Sequence, residues 1–595
     1  MTGEMARKGG SFLVEDVPPG QVFTPEDFRE EHRMIIDTTE DFVKNEVQPH
    51  IEVLEHKNIE LTCQLMRQAG ELGLLGADVE EEYGGAALDS IAALLIVEHM
   101  GGAASFGVTL NCHTGIGSMP LIYFGNRSQK KKYLPSLVTG EKIGAYALTE
   151  PKAGTDALSI ETKAVLSADG KYYTLNGTKQ FVTNGGYADI IFTYAKVDGD
   201  KFTAFLLEKG FEGVSTGPEE KKMGIRGTST VSLLLEDAKV PVENVLFEVG
   251  RGHVVAFSIL DIARLKLGLG CVGFAKVTLE SSVKHARERV QFGKPICQFG
   301  LIKHKIAEMA IRTYIAESMA YRTGGLLEDV LTTVDGAAED ARLQSIRRVS
   351  QYTIEYSINK VHCSEMISYV ADEAVQICGG YGYIEESVVE RIYRDCRIYR
   401  IYEGTNEINR TIIVRRLMEK GLKNELPLFL TVEDLTDKLT TVEYAATSMA
   451  QEGPLGYERQ LVDRAKKVFA YAFGSAARKY AEALNEEQEI VGCLADIVIE
   501  IYAMESGLLR ALKSIESSGE ERSETKIQMV RVYVSDAMAR AVQYARQILA
   551  AMEAGDHLHT QLEALAKLSS FIPLNTVETR RKIADSIIDA ERFMC

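Results

Sequence analysis

Five short stretches carry residue types and spacings that could do chemistry. In IYRIYEGTNEINR the carboxylate of Glu403 is caught between Tyr402 and Gly404 and followed by Thr405 and Asn406, after two arginines and before a helix-like run. In YALTEPKAGTDA, from Tyr146 through Leu148, Thr149 and Thr155, hydroxyls and backbone amides in a Gly-containing turn suit the carbonyl edge and N5 of a planar heterocycle. The same residues could simply bond to their own backbone. FVTNGG could set the Phe181 ring and the Thr183 hydroxyl against one planar group, although aromatics in strands usually serve a core. RERVQFGKP ends a long helical run with Arg289 and Phe292, and arginine at a helix C-terminus is also favoured by the helix dipole. QICGGYGY, holding Gln376 and Gly380, permits close backbone approach or merely stops a helix. It is no dinucleotide fingerprint, because no GxGxxG follows a strand-like run. A further stretch, KKMGIRGTST, with Lys221, Lys222 and Arg226, could lie near a phosphorylated ligand or form a solvated basic turn.

These stretches need elements to hold them, and the hydrophobic period changes along the chain. Residues 20–145 have helical spacing, with Thr24 or Asp27 as a cap for the first helix and a GG stop after DSIAALLIVEHM. From 146 to 247, β-branched and aromatic runs divided by NG, GG and DG pairs predict a compact antiparallel β domain. Helical spacing returns over 248–422, 423–455 reads as a linker, and 456–595 is helical again. Within that last region Ile490, Leu494, Ile497, Ile501, Met504 and Leu508 form one apolar stripe. The fold class is multidomain α+β, with clefts between helical blocks and a central β unit, where small-molecule sites concentrate.

Composition sets the outer limits. A chain of 595 residues exceeds a single hydrophobic core. A net charge of −18 with no basic groove argues against nucleic acid as a partner. The N-terminus lacks a signal-peptide apolar core, and no stretch of about eighteen apolar residues runs without polar interruption. The expectation is a cytoplasmic protein without a transmembrane segment. Nine cysteines without CxxC spacing suit reduced thiols better than disulfides or zinc, so no metal is expected.

Taken in order, the five stretches resemble the acyl-CoA dehydrogenase family, flavoproteins that oxidise acyl-CoA thioesters, from about residue 30 to residue 415. The resemblance implies N-terminal helices, a β domain, a helical bundle and FAD between them. It implies that Tyr146, Leu148, Thr149 and Thr155 lie near the isoalloxazine ring, with Phe181 and Thr183 on its other flank. Phe181 stands where many relatives have Trp, which this chain lacks altogether. Arg289 and Phe292 would touch the FAD of a neighbouring subunit, Gln376 and Gly380 its nucleotide part, and Thr405 and Asn406 the pyrophosphate and adenosine region. Glu403 matches the general base that removes the alpha proton, with Tyr402 and Gly404 beside the substrate and Arg264 orienting the base. Asp261 resembles an acid on the CoA side, or serves as a cap or ion-pair partner. Some branches put the base near Asp261 instead.

The region beyond residue 430 resembles the extension of the long- and very-long-chain branch, including bacterial fatty acyl-CoA dehydrogenases, and implies a homodimer. Val108, Asn111 and Cys112 occupy the neighbourhood where medium-chain relatives carry an acidic pocket cap, so a deeper pocket for long acyl chains is expected. Electron transfer flavoprotein is the expected electron acceptor. The alternatives are an acyl-CoA oxidase using oxygen and a noncatalytic acyl-CoA-binding or assembly protein.

Overall fold

The computed structural model describes residues 8–332, 341–433 and 453–594, so most of the expected linker lies outside the described residues. The N-terminal helices are α1 (Glu30–Phe42), α2 (Ile51–Glu55), α3 (Ile59–Glu71), α4 (Ser90–His99), α5 (Ala104–Thr114), α6 (Met119–Phe124) and α7 (Arg127–Val138). Local chemistry starts several of them. Asn58 accepts the Leu61 amide at 3.0 Å ahead of α3, and Asp89 accepts that of Ala92 at 3.0 Å ahead of α4. Thr24 and Asp27 instead cap a 3₁₀ turn at Pro25–Asp27, leaving α1 to begin at Glu30. The stretch Ser90–Phe124 is long and apolar enough to cross a membrane, yet it is mostly buried inside the fold. It is interrupted by Glu98, His99 and Asn111 and broken into α4, a 3₁₀ turn, α5 and α6, so its apolar character serves a core.

The β region holds β1 (Gly144–Ala147), β2 (Lys163–Leu166), β3 (Tyr172–Thr183), β4 (Ile190–Val197), β5 (Lys201–Glu208), β6 (Val214–Thr216), β7 (Thr230–Pro241) and β8 (Val245–Leu246). They lie in the order β6-β7-β3-β2-β4-β5-β8, with β1 paired to β4. The sheet is mixed rather than purely antiparallel. Both β1 and β2 run parallel to β4, because the chain enters from α7 along β4's edge and crosses over before returning. The Asp198-Gly199 pair makes the β4–β5 hairpin with both residues at positive φ, 53° and 90°, as expected of a DG turn. The Asn176-Gly177 pair makes no turn. It is a bulge inside β3, where a Cβ on Gly177 would lie 2.3 Å from Thr162 Oγ1.

Next come α8 (Gly252–Glu288), α9 (Gly300–Thr332), α10 (Ala341–Val349), α11 (Thr353–Cys378), α12 (Val388–Cys396) and α13 (Asn406–Leu422). The helices α8, α9, α11 and α13 pack side by side. The C-terminal helices are α14 (Gly456–Tyr480), α15 (Gln488–Ser518), α16 (Glu524–Met552), α17 (Gly555–Ser569) and α18 (Thr576–Ala590). Helix α15 packs on α9, α13, α14 and α16, and the stripe from Ile490 to Leu508 is fully covered by these neighbours. It therefore needs no second subunit to keep it dry.

Candidate functional site

A cleft of about 700 Å³ opens where α5, the β1–β2 turn, β3, α8 and the segment before α13 converge. Val108, Cys112, Tyr146, Leu148, Thr149, Thr155, Phe181, Thr183, Asp261, Arg264, Tyr402, Glu403 and Gly404 all line it. Residues separated by almost three hundred positions in sequence are thus brought to one wall.

The acid at its centre is held by an unusual backbone. Glu403 has a φ of 59°, a conformation costing a β-carbon-bearing residue roughly 1–2 kcal/mol. Three side chains hold it there. Arg264 Nε donates to the Glu403 carbonyl at 3.1 Å, while Lys360 Nζ and Asn409 Nδ2 donate to the Gly404 carbonyl at 2.7 and 2.9 Å. Gly404 itself has a φ of 82°, which only a residue without a Cβ adopts freely. Glu403 as a residue is partly buried, yet its Oε2 is sealed from solvent and has no hydrogen-bond partner among the described residues. Burial pushes its carboxyl up to about 7, against the opposing pull of the Arg264 and Lys360 cations.

Asp261 differs in kind. Arg264 Nη1 donates to its Oδ1 at 2.8 Å and Thr353 Oγ1 to its Oδ2 at 2.7 Å. Both of its oxygens accept from protein donors, whereas Glu403 Oε2 accepts from none among the described residues, so the two acids differ in what holds them. The role of Asp261 as an ion-pair partner is realised in the folded chain.

On the opposite flank a break in the β3–β7 pairing between Lys179 and Val182 gives Phe181 a φ of 58° and leaves it 59% exposed along the cleft wall. An aromatic in a strand normally faces a core, and the bulge is what turns this one outward. The turn bearing Thr149 is fixed from behind by a buried pair, Lys179 Nζ with Glu150 Oε1 at 2.7 Å. Burial lowers that lysine to about 8 even with the carboxylate beside it. Tyr146 is buried, its ring 5.4 Å from that of Tyr194.

The remaining expected residues lie elsewhere. Arg289, Gln376 and Gly380 are exposed where the ends of α8 and α11 meet, and the Arg289 guanidinium sits 5.8 Å from the Tyr381 ring centre. Phe292 is 94% exposed at the tip of the hairpin formed by β9 (Val290–Gln291) and β10 (Lys294–Pro295). Thr405 caps α13, accepting the Ile408 amide at 3.3 Å. Asn406 is fully buried, its amide engaged by Lys360, Ser364 and Glu365. In the basic turn, Lys221 is exposed, Lys222 donates to Thr230 Oγ1 at 3.0 Å, and Arg226 pairs with Glu385 at 3.1 Å.

Sequence reasoning missed Lys360, Asn409, Thr353, Glu150 and Lys179. A charged residue within the apolar run of α11 was the one available signal for Lys360; the others carry none.

Family models match most of the chain in four blocks. They are an acyl-CoA dehydrogenase N-terminal domain over 29–141, a middle domain over 145–238, and C-terminal domains over 250–418 and 464–567. The chain is 49% identical to a "Probable acyl-CoA dehydrogenase" of Bacillus subtilis (strain 168), covering 99% of this chain and 98% of that one. It is 37% identical to human mitochondrial very long-chain specific acyl-CoA dehydrogenase, over 79% of this chain and 73% of that one. Among solved structures, an acyl-CoA dehydrogenase complexed with FAD from Bacillus anthracis matches with a TM-score of 0.96 and 48% identity, covering 99% and 100% of the two chains. Butyryl-CoA dehydrogenase from Megasphaera elsdenii matches with a TM-score of 0.60 and 36% identity, over 66% of this chain and 99% of its own.

Proposed function

The chain belongs to the acyl-CoA dehydrogenase family, and on that premise we propose that it is an FAD-dependent dehydrogenase converting acyl-CoA, with a preference for long straight chains, into trans-2-enoyl-CoA in fatty acid β-oxidation. The observation that carries this reading is Glu403. It is an unpartnered carboxylate oxygen sealed in a cleft, on a backbone braced by three side chains, with a proton affinity near neutrality. A carboxylate of ordinary strength is too weak for an unactivated alpha carbon, and burial supplies part of the difference.

The donor set of the cleft fits a flavin. Tyr146, Leu148, Thr149 and Thr155 would hold one edge of its ring and Phe181 and Thr183 the other flank. FAD, when bound, supplies the acceptor for the beta hydride. Glu403 takes the alpha proton onto its side chain, and its backbone amide donates to the thioester oxygen as enolate charge develops. Arg264 acts on this step through the Glu403 carbonyl, as a positioning residue. Tyr402 and Gly404 flank the thioester, and Asp261 keeps Arg264 in place.

Arg289, Phe292, Gln376, Thr405 and Gly380 complete the reading as contacts to FAD across a homodimer, supported by the exposure of four of them on a face away from the chain's own cleft. Light scattering giving a dimer mass would agree, and a tetramer would remove this arrangement. The long-chain preference rests on Val108 and Cys112 lining the cleft without an acidic cap, and on likeness to a very long-chain relative. Electron transfer flavoprotein is the proposed acceptor. Anaerobic bleaching of the bound flavin by acyl-CoA thioesters of increasing length tests the whole reading. Bleaching strongest with long thioesters is expected; none at any length would leave a noncatalytic binding protein. Faster reoxidation by oxygen than by electron transfer flavoprotein would favour an oxidase.

A further inference from the structure

One charge on the cleft wall has no counter-ion among the described residues. Lys266 of α8 is 7% exposed and lines the cleft, and its Nζ donates to the Thr114 carbonyl at the end of α5, 3.1 Å away. Among the described residues this is its only hydrogen bond, and no carboxylate comes within ion-pair distance of it. Burial draws the amine below its ordinary proton affinity, with only a partial correction from the more distant Asp78 carboxylate. Two of its three N–H donors are unused.

The partner across the cleft is also unsatisfied. One helical turn beyond Lys266, Gly270 faces Asn111 of α5, whose Nδ2 lies 4.0 Å from the point a Cβ on that glycine would occupy. The residues 266 and 270 of α8 therefore oppose 114 and 111 of α5 on facing helical surfaces. The Asn111 side chain lines the cleft and makes no hydrogen bond among the described residues, and its Oδ1 is sealed from solvent. Around this pair the wall is apolar, built from Val108, Ile116 and Leu267. A purely hydrocarbon tail laid along it would seal an ammonium against methylene groups, the least favourable environment for that charge.

We infer that the cleft accepts acyl thioesters whose tail carries a second carboxylate, with Lys266 as its counter-ion and the Asn111 carboxamide as a further donor. This rests on the acyl-thioester reading above and refines its substrate class from methyl-ended to carboxyl-ended chains. The amine offers unused N–H donors on an otherwise greasy wall, which suits a charge-assisted hydrogen bond to an oxyanion, and the Asn111 amide lines the same wall.

The test uses the flavin-loaded enzyme and pairs of CoA thioesters of equal length, one methyl-ended and one made from a linear dicarboxylic acid. The rate of anaerobic flavin reduction and the dissociation constant are measured for each pair over a length series. At the best-matched length the wild type should favour the carboxyl-ended member by at least about tenfold. Lys266→Met should abolish or reverse that ratio while Lys266→Arg retains part of it, and both should keep their flavin. No preference at any length in the wild type overturns the inference whether or not the variants fold. So does a ratio untouched by Lys266→Met, or loss of flavin from that variant, which would make the amine a cofactor contact. If no thioester of either kind bleaches the flavin, the dehydrogenase reading fails. Calorimetric binding of the same pairs then still decides the carboxylate seat.

Discussion

The cleft around Glu403 and the seam where α15 lies against α9 both bury charge, and they do it in opposite ways. In the cleft, Glu403 Oε2 and the Asn111 side chain have no protein hydrogen-bond partner among the described residues, and the base sits on a positive-φ backbone. In the seam, Arg510 is 0% exposed and pairs through Nη1 with Glu317 at 2.5 Å and through Nε with Glu26 at 3.1 Å. Glu26 is held again by Lys526 at 2.7 Å, and Arg322 meets Glu505 at 2.6 Å, which Lys466 also holds at 2.7 Å. The seam ties the N-terminal segment, α9, α15 and α16 together with paired ions. A wall made to receive a ligand keeps its polar groups open, and a joint between helices closes them. The butyryl-CoA dehydrogenase neighbour, matched over 66% of this chain, marks the scale of what the C-terminal helices add.

The contrast breaks most sharply at its two centres. Glu403→Gln keeps shape and removes the base, so flavin reduction by acyl-CoA should fall by about 10⁴-fold while flavin content and fold persist. Native-rate reduction in stopped flow would return the role of base to Asp261. Arg510→Ala should do the reverse. Leaving Glu317 and Glu26 buried without their cation should cost about 3–5 kcal/mol of stability, read from denaturant midpoints, with turnover per folded molecule intact.

Acid and base should also act on the two regions with opposite sign. Glu403 has a folded value of about 7 against an ordinary 4.5, so its protonated form is favoured in the native state. Its contribution to stability is complete below 4.5 and is lost as pH rises through 7. For Glu26, burial alone would raise the carboxyl, but Arg510 and Lys526 bring it down to about 2, so its contribution is present above 4.5 and is lost as pH falls through 2. The stability advantage of wild type over Glu403→Gln should therefore shrink from pH 4.5 to 8, while the rate of flavin reduction climbs about tenfold per unit up to neutrality. A flat rate profile over that range would show that Glu403 has an ordinary pKa.

The smallest change sharpens the shape of the cleft. Cys112 is buried with its Sγ 4.0 Å from the Thr183 carbonyl. Filling it as Cys112→Phe should lower the specificity ratio of long over short thioesters by about tenfold, because only a long tail meets the obstruction. Equal damage at every chain length would detach Cys112 from the tail.

Much of this was legible in the chain because local patterns encode local structure. The 3- and 4-residue spacing of Ile490 to Leu508 specifies a buried helix face, Asp198-Gly199 specifies a tight hairpin, and the stretches around Thr149, Phe181 and Glu403 carry enough residue identity to imply a flavin cleft. What the chain could not reveal depends on neighbours distant in sequence. Asn176-Gly177 resembles a turn until Thr162 is packed against it, and the stripe on α15 asks for an apolar cover without saying whether it comes from within the chain, which α9, α13, α14 and α16 supply. The residues around Glu403 favour it over Asp261 as the base, but they do not show how each carboxylate is held. Only the fold delivers Arg264 and Thr353 to both oxygens of one and leaves an oxygen of the other bare, since hydrogen-bond saturation is a property of three-dimensional surroundings and not of residue type.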